Sequence, residues 1–198
     1  MENKDLIQEL KAKKFLTNEE FKTYENILGN KLLLTKEIDE KYKTEFSKSF
    51  ENQFENFDGE KFNSYKNTQM EISNFGRVRI ADKIEPQTDE KTGKGYLYLE
   101  NWKDLQDNNG IKFDCEYIYE MVAEVFLNDE AFKKEKENNK KCTWDVHHIN
   151  NDGYENTPEN LIYLKRCQHK KVHHYMRFPE SCKDCSIFKN WGNNVNIN

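Results

Sequence analysis

The sequence predicts an α+β protein with a helical region over residues 1–60, a small β-rich module over 61–130, a hairpin-and-helix unit over 141–178 and a tail at 179–198. Three observations carry this. Apolar and aromatic residues near the N-terminus fall at helical spacing, the middle is made of short β-prone runs broken by turn residues, and all five histidines lie between residues 147 and 174.

The first helix starts at a capping box. Thr17 precedes Asn18, Glu19 and Glu20, so the Thr17 hydroxyl can take the amide of Glu20 while the Glu20 carboxylate reaches back. Phe21, Tyr24, Ile27 and Leu28 then share a face, and Gly29 is the stop. From Thr35 to Phe57 a longer helix carries Ile38, Tyr42, Phe46, Phe50 and Phe54. A strict four-residue step winds around a 3.6-residue helix, so this stripe suits a curved surface, either of its own core or of a partner.

In the middle, Asn74 to Gly76 reads as a turn leading into a strand Arg77 to Ile80. Gly95 to Leu99 and Ile111 to Cys115 read as further strands, with Cys115 an ordinary buried residue. Tyr117 to Leu127 is the most apolar helical stretch, and Ala131 to Lys141 is a charged linker or helix end.

Composition narrows the class. The 198 residues are 35% hydrophobic, 34% charged and 13% aromatic, with a mean hydropathy of -1.07. That is polar, yet too aromatic for a disordered chain. No run suits a membrane helix and the N-terminus has no apolar signal core, so the expected setting is the cytoplasm, without a membrane partner. Five irregularly spaced cysteines argue for thiols or metal ligands over a disulfide framework. The net charge of -5 conceals a gradient: residues 1–60 carry 10 positive and 14 negative charges, 61–140 carry 13 and 16, and 141–198 carry 8 and 6. Only the last segment is net positive.

The histidine window carries the chemistry. His147 and His148, adjacent in an extended segment, point to opposite faces, so one ring can bind metal while the other faces a substrate. His169 and His173 are four apart and stack on one helix face, a common way to present two metal ligands. Asn150 to Gly153 is a turn, Leu161 to Leu164 a short apolar strand, and the whole reads as a ββα arrangement folded over one metal.

These residues resemble the HNH nuclease motif: V-H-H-I, then E-N-L at Glu159 to Leu161, then a histidine nine residues after that Asn. With the additional His173 the match is most similar to the colicin-type DNases. The resemblance implies a ββα-metal fold that cleaves phosphodiesters, with His147, His169 and His173 as metal ligands, His148 as general base, and Asn160 bracing the loop that holds the base. Upstream, Ser73-Asn74-Phe75-Gly76-Arg77-Val78-Arg79 resembles the S-N-x-G-R-V-R module of phage and intron-encoded homing endonucleases, which precede their nuclease motif with a segment like Ile118 to Phe126. Many HNH proteins carry zinc-binding cysteines where this chain has Lys165 and Gln168.

Phosphodiester hydrolysis needs an activated water and neutralisation of the charge that builds on phosphate and leaving group. A neutral histidine suits the first need, and one divalent cation (Mg²⁺, Mn²⁺, Ni²⁺ or Zn²⁺) serves the second. Lys165, Arg166, Lys170, Lys171 and Arg177 would bring positive charge beside it, while Arg77 and Arg79, alternating with Val78, could touch a phosphate or a base edge. Cys182 and Cys185 form a CxxC knuckle that, with Cys142 and Cys167, could hold a structural Zn²⁺, His174 being able to replace one thiolate; free thiols are the alternative. The expected activity is a metal-dependent DNA endonuclease acting on duplex DNA. The competing reading is a catalytically silent protein that keeps the fold and binds a protein partner, nucleic acid or a second copy of itself through the N-terminal helices.

Overall fold

The structure, a computed structural model, describes residues 9, 12–22, 57–66, 68–88, 95–109 and 117–177. The aromatic-striped helix expected from Thr35, the strand at Ile111 to Cys115 and the Cys182/Cys185 knuckle lie outside the described residues. The class is α+β, with small antiparallel sheets and, among the described residues, α-helices of 5 to 12 residues.

Four short strands form an antiparallel meander: β1 (Phe62–Ser64), β2 (Met70–Ser73), β3 (Val78–Ile80) and β4 (Lys83–Ile84). The expected turn at Asn74 to Gly76 joins β2 to β3, and Gly76 takes a φ of 77° that a side chain would oppose. The strand starts at Val78, one residue later than its sequence suggests, because the Arg77 amide closes the turn onto the Ser73 hydroxyl at 3.0 Å. Ile72 and Val78 pair across the strands and are fully buried, giving the sheet one apolar face. A second pair, β5 (Gln87–Thr88) and β6 (Tyr98–Leu99), leads into helix α1 (Trp102–Asn109).

The apolar stretch after Tyr117 is not one α-helix. Helix α2 (Ile118–Val122) widens into a π-helical turn over Ala123–Leu127. An α-helix would continue the buried Ile118, Met121, Val122 stripe at Val125; the wider turn changes the phase and buries Leu127 instead. The charged stretch that follows is a helix, α3 (Glu130–Asn138), capped by the Asp129 carboxylate accepting from the Phe132 amide at 2.9 Å. One apolar residue anchors it. Phe132 is 1% exposed and stacks on Tyr163 with ring centres 3.9 Å apart.

The last unit is a hairpin, β7 (Trp144–His148) and β8 (Leu161–Lys165), running directly into helix α4 (Arg166–Arg177). Its core is continuous with the rest. Tyr65, Met70, Ile72 and Val78 of the meander, Met121 and Leu127 of the α2 region and Leu161 and Tyr163 of β8 belong to one cluster of buried residues. The sequence divides the chain near residues 60 and 140, but the packing does not follow those boundaries. Residues 12–22 also lie against the hairpin: the Tyr163 amide donates to the Lys14 carbonyl at 2.9 Å, Phe15 bridges Tyr163 in parallel, and Leu16 is fully buried. The capping box forms as expected, with the Thr17 amide donating to Glu20 Oε2 at 2.9 Å and the Glu20 amide to Thr17 Oγ1 at 3.3 Å. Among the described residues, no helix is long and apolar enough to cross a membrane.

Candidate metal centre

The pleat of β7 separates neighbouring side chains, and its register, His147 opposite Ile162 and His148 opposite Leu161, fixes which face each takes. His147 meets the rings that α4 presents one turn apart. Its ring centre lies 5.2 Å from that of His169 and 5.3 Å from that of His173. One nitrogen from each of the three rings falls within 4.8 Å of the other two. His173 Nε2 and His169 Nε2 are 2.9 Å apart, sharing a hydrogen bond.

Two features suit this cluster to a cation. His147 is 2% exposed and its Nε2 is buried without a hydrogen-bond partner, a costly arrangement for a polar atom unless something takes its lone pair. His169 Nδ1 donates to Asp145 Oδ2 at 3.3 Å, which leaves Nε2 as the lone-pair nitrogen facing the cluster. Burial, followed by the neighbouring histidines, holds the His147 imidazole well below its ordinary pKa, and burial outweighs the Asp145 contact to lower His169 as well. Neutral imidazoles are the metal-binding form. Three nitrogen ligands with no carboxylate among them favour Zn²⁺ or Ni²⁺ over Mg²⁺, and leave coordination positions for water and an anionic oxygen.

His148 turns to the other face and lines the same cleft, about 310 Å³ of empty space open to solvent, with Tyr96, Tyr119, Val146, Asn151 and the three clustered histidines. The Tyr119 ring stands edge-on to it at 5.0 Å and Tyr96 lies at 5.8 Å. Its Nε2 bonds Asn156 Oδ1 at 2.9 Å. Burial, partly countered by that bond, lowers the His148 pKa to about 4, so the ring is neutral at pH 7 and able to accept a proton. Burial, then the Glu120 charge, raises Tyr119 far above an ordinary phenol, so it too is neutral.

Asn160 spans the loop between the strands. Its Oδ1 accepts from the Asn150 amide at 3.1 Å, and its Nδ2 donates to Asn150 Oδ1 at 2.8 Å and to the Glu155 carbonyl at 2.9 Å. It contacts neither the histidine cluster nor the cleft through these bonds; it holds the loop that follows His148. Asn150 Nδ2 donates in turn to Glu155, and Asn150 Oδ1 takes the Asp152 amide at 2.9 Å.

The cations expected at a nucleic-acid surface are placed otherwise in two cases. Arg77 is buried in an ion pair with Glu60 and lies 4.5 Å from the centre of the Phe57 ring, so its guanidinium is committed to the fold. Lys165 is 3% exposed, donating to Asn139 at 2.9 Å and Asn18 at 3.2 Å, with Glu135 at 3.6 Å. Extracting Arg77 would strand the buried Glu60 carboxylate, and the Lys165 ammonium is itself buried among Asn139, Asn18 and Glu135, so neither presents its charge to a phosphate. Arg79 pairs with Glu71 directly across the strands and covers the Phe62 ring. Arg166 is exposed and forks onto Asp145, the same carboxylate that holds His169. Lys170 is exposed and Lys171 half-buried on α4. Cys142 and Cys167 are exposed free thiols at the open end of the hairpin.

Comparison with known protein families, with curated proteins and with solved structures finds no match. The reading of the site rests on its own geometry. Sequence reasoning missed Asp145, Asn156, Tyr96 and Tyr119. Asp145 had a readable signal, two residues before His147 and so on the same strand face; the others are brought in by tertiary packing.

Proposed function

We propose that this chain is a metal-dependent endonuclease of the HNH type that hydrolyses phosphodiester bonds in DNA, with phage, mobile-element or defence systems as its setting. The observation that carries the reading is the alternation at β7: His147 meets His169 and His173 with a buried, unpaired Nε2, while His148 enters the same cleft as a neutral imidazole. Four side chains of one type, split between a ligand set and an adjacent basic nitrogen, match what phosphodiester hydrolysis requires.

In this reading a divalent cation held by His147, His169 and His173 supplies charge neutralisation at the phosphate and the leaving oxygen. The residues of the chain do the rest. His148 takes the proton from the attacking water. Asn160 fixes the Asn150–Glu155 loop behind it, and Tyr96 and Tyr119 limit the water that reaches the ring.

The test is plasmid cleavage by the full chain with Mg²⁺, Mn²⁺, Ni²⁺ or Zn²⁺, beside His148→Ala. Cleavage abolished by chelator and reduced about 10²- to 10⁴-fold in His148→Ala, with metal and DNA binding kept, is the expected result. Undiminished cleavage in His148→Ala would overturn the assignment of the base. No cleavage of single- or double-stranded DNA or RNA with any of these metals would move the chain to a binding protein on the same scaffold.

A further inference from the structure

We infer that Asn156 is the positioning residue for His148, and that the turn from Ser73 to Arg77 is shaped to seat it. The inference rests on the proposed role of His148 and adds the group that makes it competent. A histidine acting as base needs one ring nitrogen with a free lone pair turned to the water and the other nitrogen protonated. In solution neither tautomer is strongly favoured. Here Asn156 Oδ1 lies 2.9 Å from His148 Nε2, and both residues are almost wholly buried, 2% and 5% exposed. A carbonyl oxygen can only accept, so Nε2 carries the proton and Nδ1 keeps the lone pair. The opposite orientation of the amide would occupy the Nε2 lone pair and leave Nδ1 protonated, with no basic nitrogen at all. As His148 gains a proton, the same oxygen faces the imidazolium N–H.

Asn156 is itself held by an element far away in sequence. Gly76 sits against it so closely that a Cβ there would lie 2.7 Å from Asn156 Cβ and 3.1 Å from its carbonyl oxygen. Gly76 can make that approach because it lacks a side chain and tolerates a φ of 77°. The turn is locked from behind: the Gly76 amide donates to the Ser73 carbonyl at 3.0 Å, the Arg77 amide to Ser73 Oγ at 3.0 Å, and Gln87 Nε2 to the Gly76 carbonyl at 2.8 Å. The upstream turn thus acts on the cleft through one asparagine and one glycine. The buried ion pair of Arg77 with Glu60 belongs to the same support.

Two readouts test this on the full, zinc-loaded chain labelled with ¹⁵N-histidine. Long-range ¹H–¹⁵N correlation spectra should show His148 as the Nε2–H tautomer. In Asn156→Ala that signature should be lost while those of His147, His169 and His173 stay in place, and Gly76→Ala should move the same His148 resonances. Asn156→Asp, which keeps the shape and the acceptor, should retain the Nε2–H form; it separates loss of the bond from loss of the fold. In cleavage assays Asn156→Ala should lower kcat about 10- to 100-fold with KM within about threefold of the parent, and Asn156→Asp should restore most of the rate. An Nδ1–H tautomer in the parent protein, or a His148 signature unchanged in Asn156→Ala, overturns the inference. A parent protein that holds the Nε2–H tautomer but cleaves nothing overturns the nuclease reading and leaves the assignment of Asn156 to the ring standing.

Discussion

Asp145→Asn should weaken metal binding without unfolding the chain. In the parent protein, Asp145 Oδ2 accepts a hydrogen bond from His169 Nδ1 at 3.3 Å, which aims Nε2 at His147 and His173. An amide is a weaker acceptor and can flip to present its NH₂, which would favour the wrong tautomer. Loss of such a partner behind a ligating histidine costs about 10- to 100-fold in affinity, or about 1.4–2.7 kcal/mol. The same change removes the Arg166 ion pair, but Arg166 is 55% exposed, and exposed pairs contribute about 0–1 kcal/mol. Without metal, then, the melting temperature should hardly move. With zinc at a fixed excess, the stabilisation by bound metal falls by the affinity loss, about 3–10 °C at about 2–4 °C per kcal/mol for a chain of this size. Competition titration with a zinc chromophore measures the first quantity and differential scanning fluorimetry the second. Arg166→Gln is the control: it frees Asp145 to serve His169 alone, so affinity should hold or rise. If Asp145→Asn binds zinc within about twofold of the parent, the claim that this carboxylate orients His169 is wrong.

Two further outcomes concern the scaffold. A Cβ on Gly153 would sit 2.1 Å from the Gly95 carbonyl oxygen and 2.7 Å from the Tyr96 ring, so Gly153→Ala should cost about 1–3 kcal/mol in urea unfolding through forced backbone movement; a loss under about 0.5 kcal/mol would show that the two segments are not interlocked. Burial pushes the Glu20 carboxyl up, but hydrogen bonds from Lys13 and from the Thr17 amide and hydroxyl, with the Lys13 charge, bring it below its ordinary value. A carboxylate whose folded pKa is depressed adds stability above its unfolded pKa and loses it as pH falls through the folded value. The parent protein should therefore exceed Glu20→Gln in stability at pH 7, and the gap should close below about pH 4.5; a gap that persists unchanged at pH 3 would remove the ionised cap from the account.

What the sequence makes legible is what chain-local periodicity controls. The opposite facing of His147 and His148, the one-turn spacing of His169 and His173 and the Thr17 capping box follow from backbone geometry alone, and the structure places them accordingly. Charge is legible only as composition. Arg77 reads as a surface cation until Glu60, 17 residues away, is folded against it, and Lys165 until Asn18, 147 residues away, arrives beside it. Helix α3 is misread for a related reason: its stability comes from the single side chain of Phe132 wedged between Phe15, Trp144 and Tyr163, and one apolar residue makes no period. The π-helical turn at Ala123–Leu127 is equally invisible, since it answers to which side chains the core can accept.

The buried cations also change how the acidic total should be understood. With a net charge of -5, and with Arg77 and Lys165 spent inside the fold, the surface is poorer in positive charge than the sequence implies. Arg79 and Arg166 are each matched by a carboxylate. Under the proposed function, a dication at the three-histidine cluster would supply attraction for a phosphate that Arg77 and Lys165 do not. The position of Lys165 fits that economy. Its amide donates to Gln168 Oε1 at 2.8 Å, and its ammonium donates to Asn139, just past α3, and to Asn18, tying β8 to both segments. A polar network thus cross-links these elements without a metal, and among the described residues His147, His169 and His173 are the cluster able to hold one.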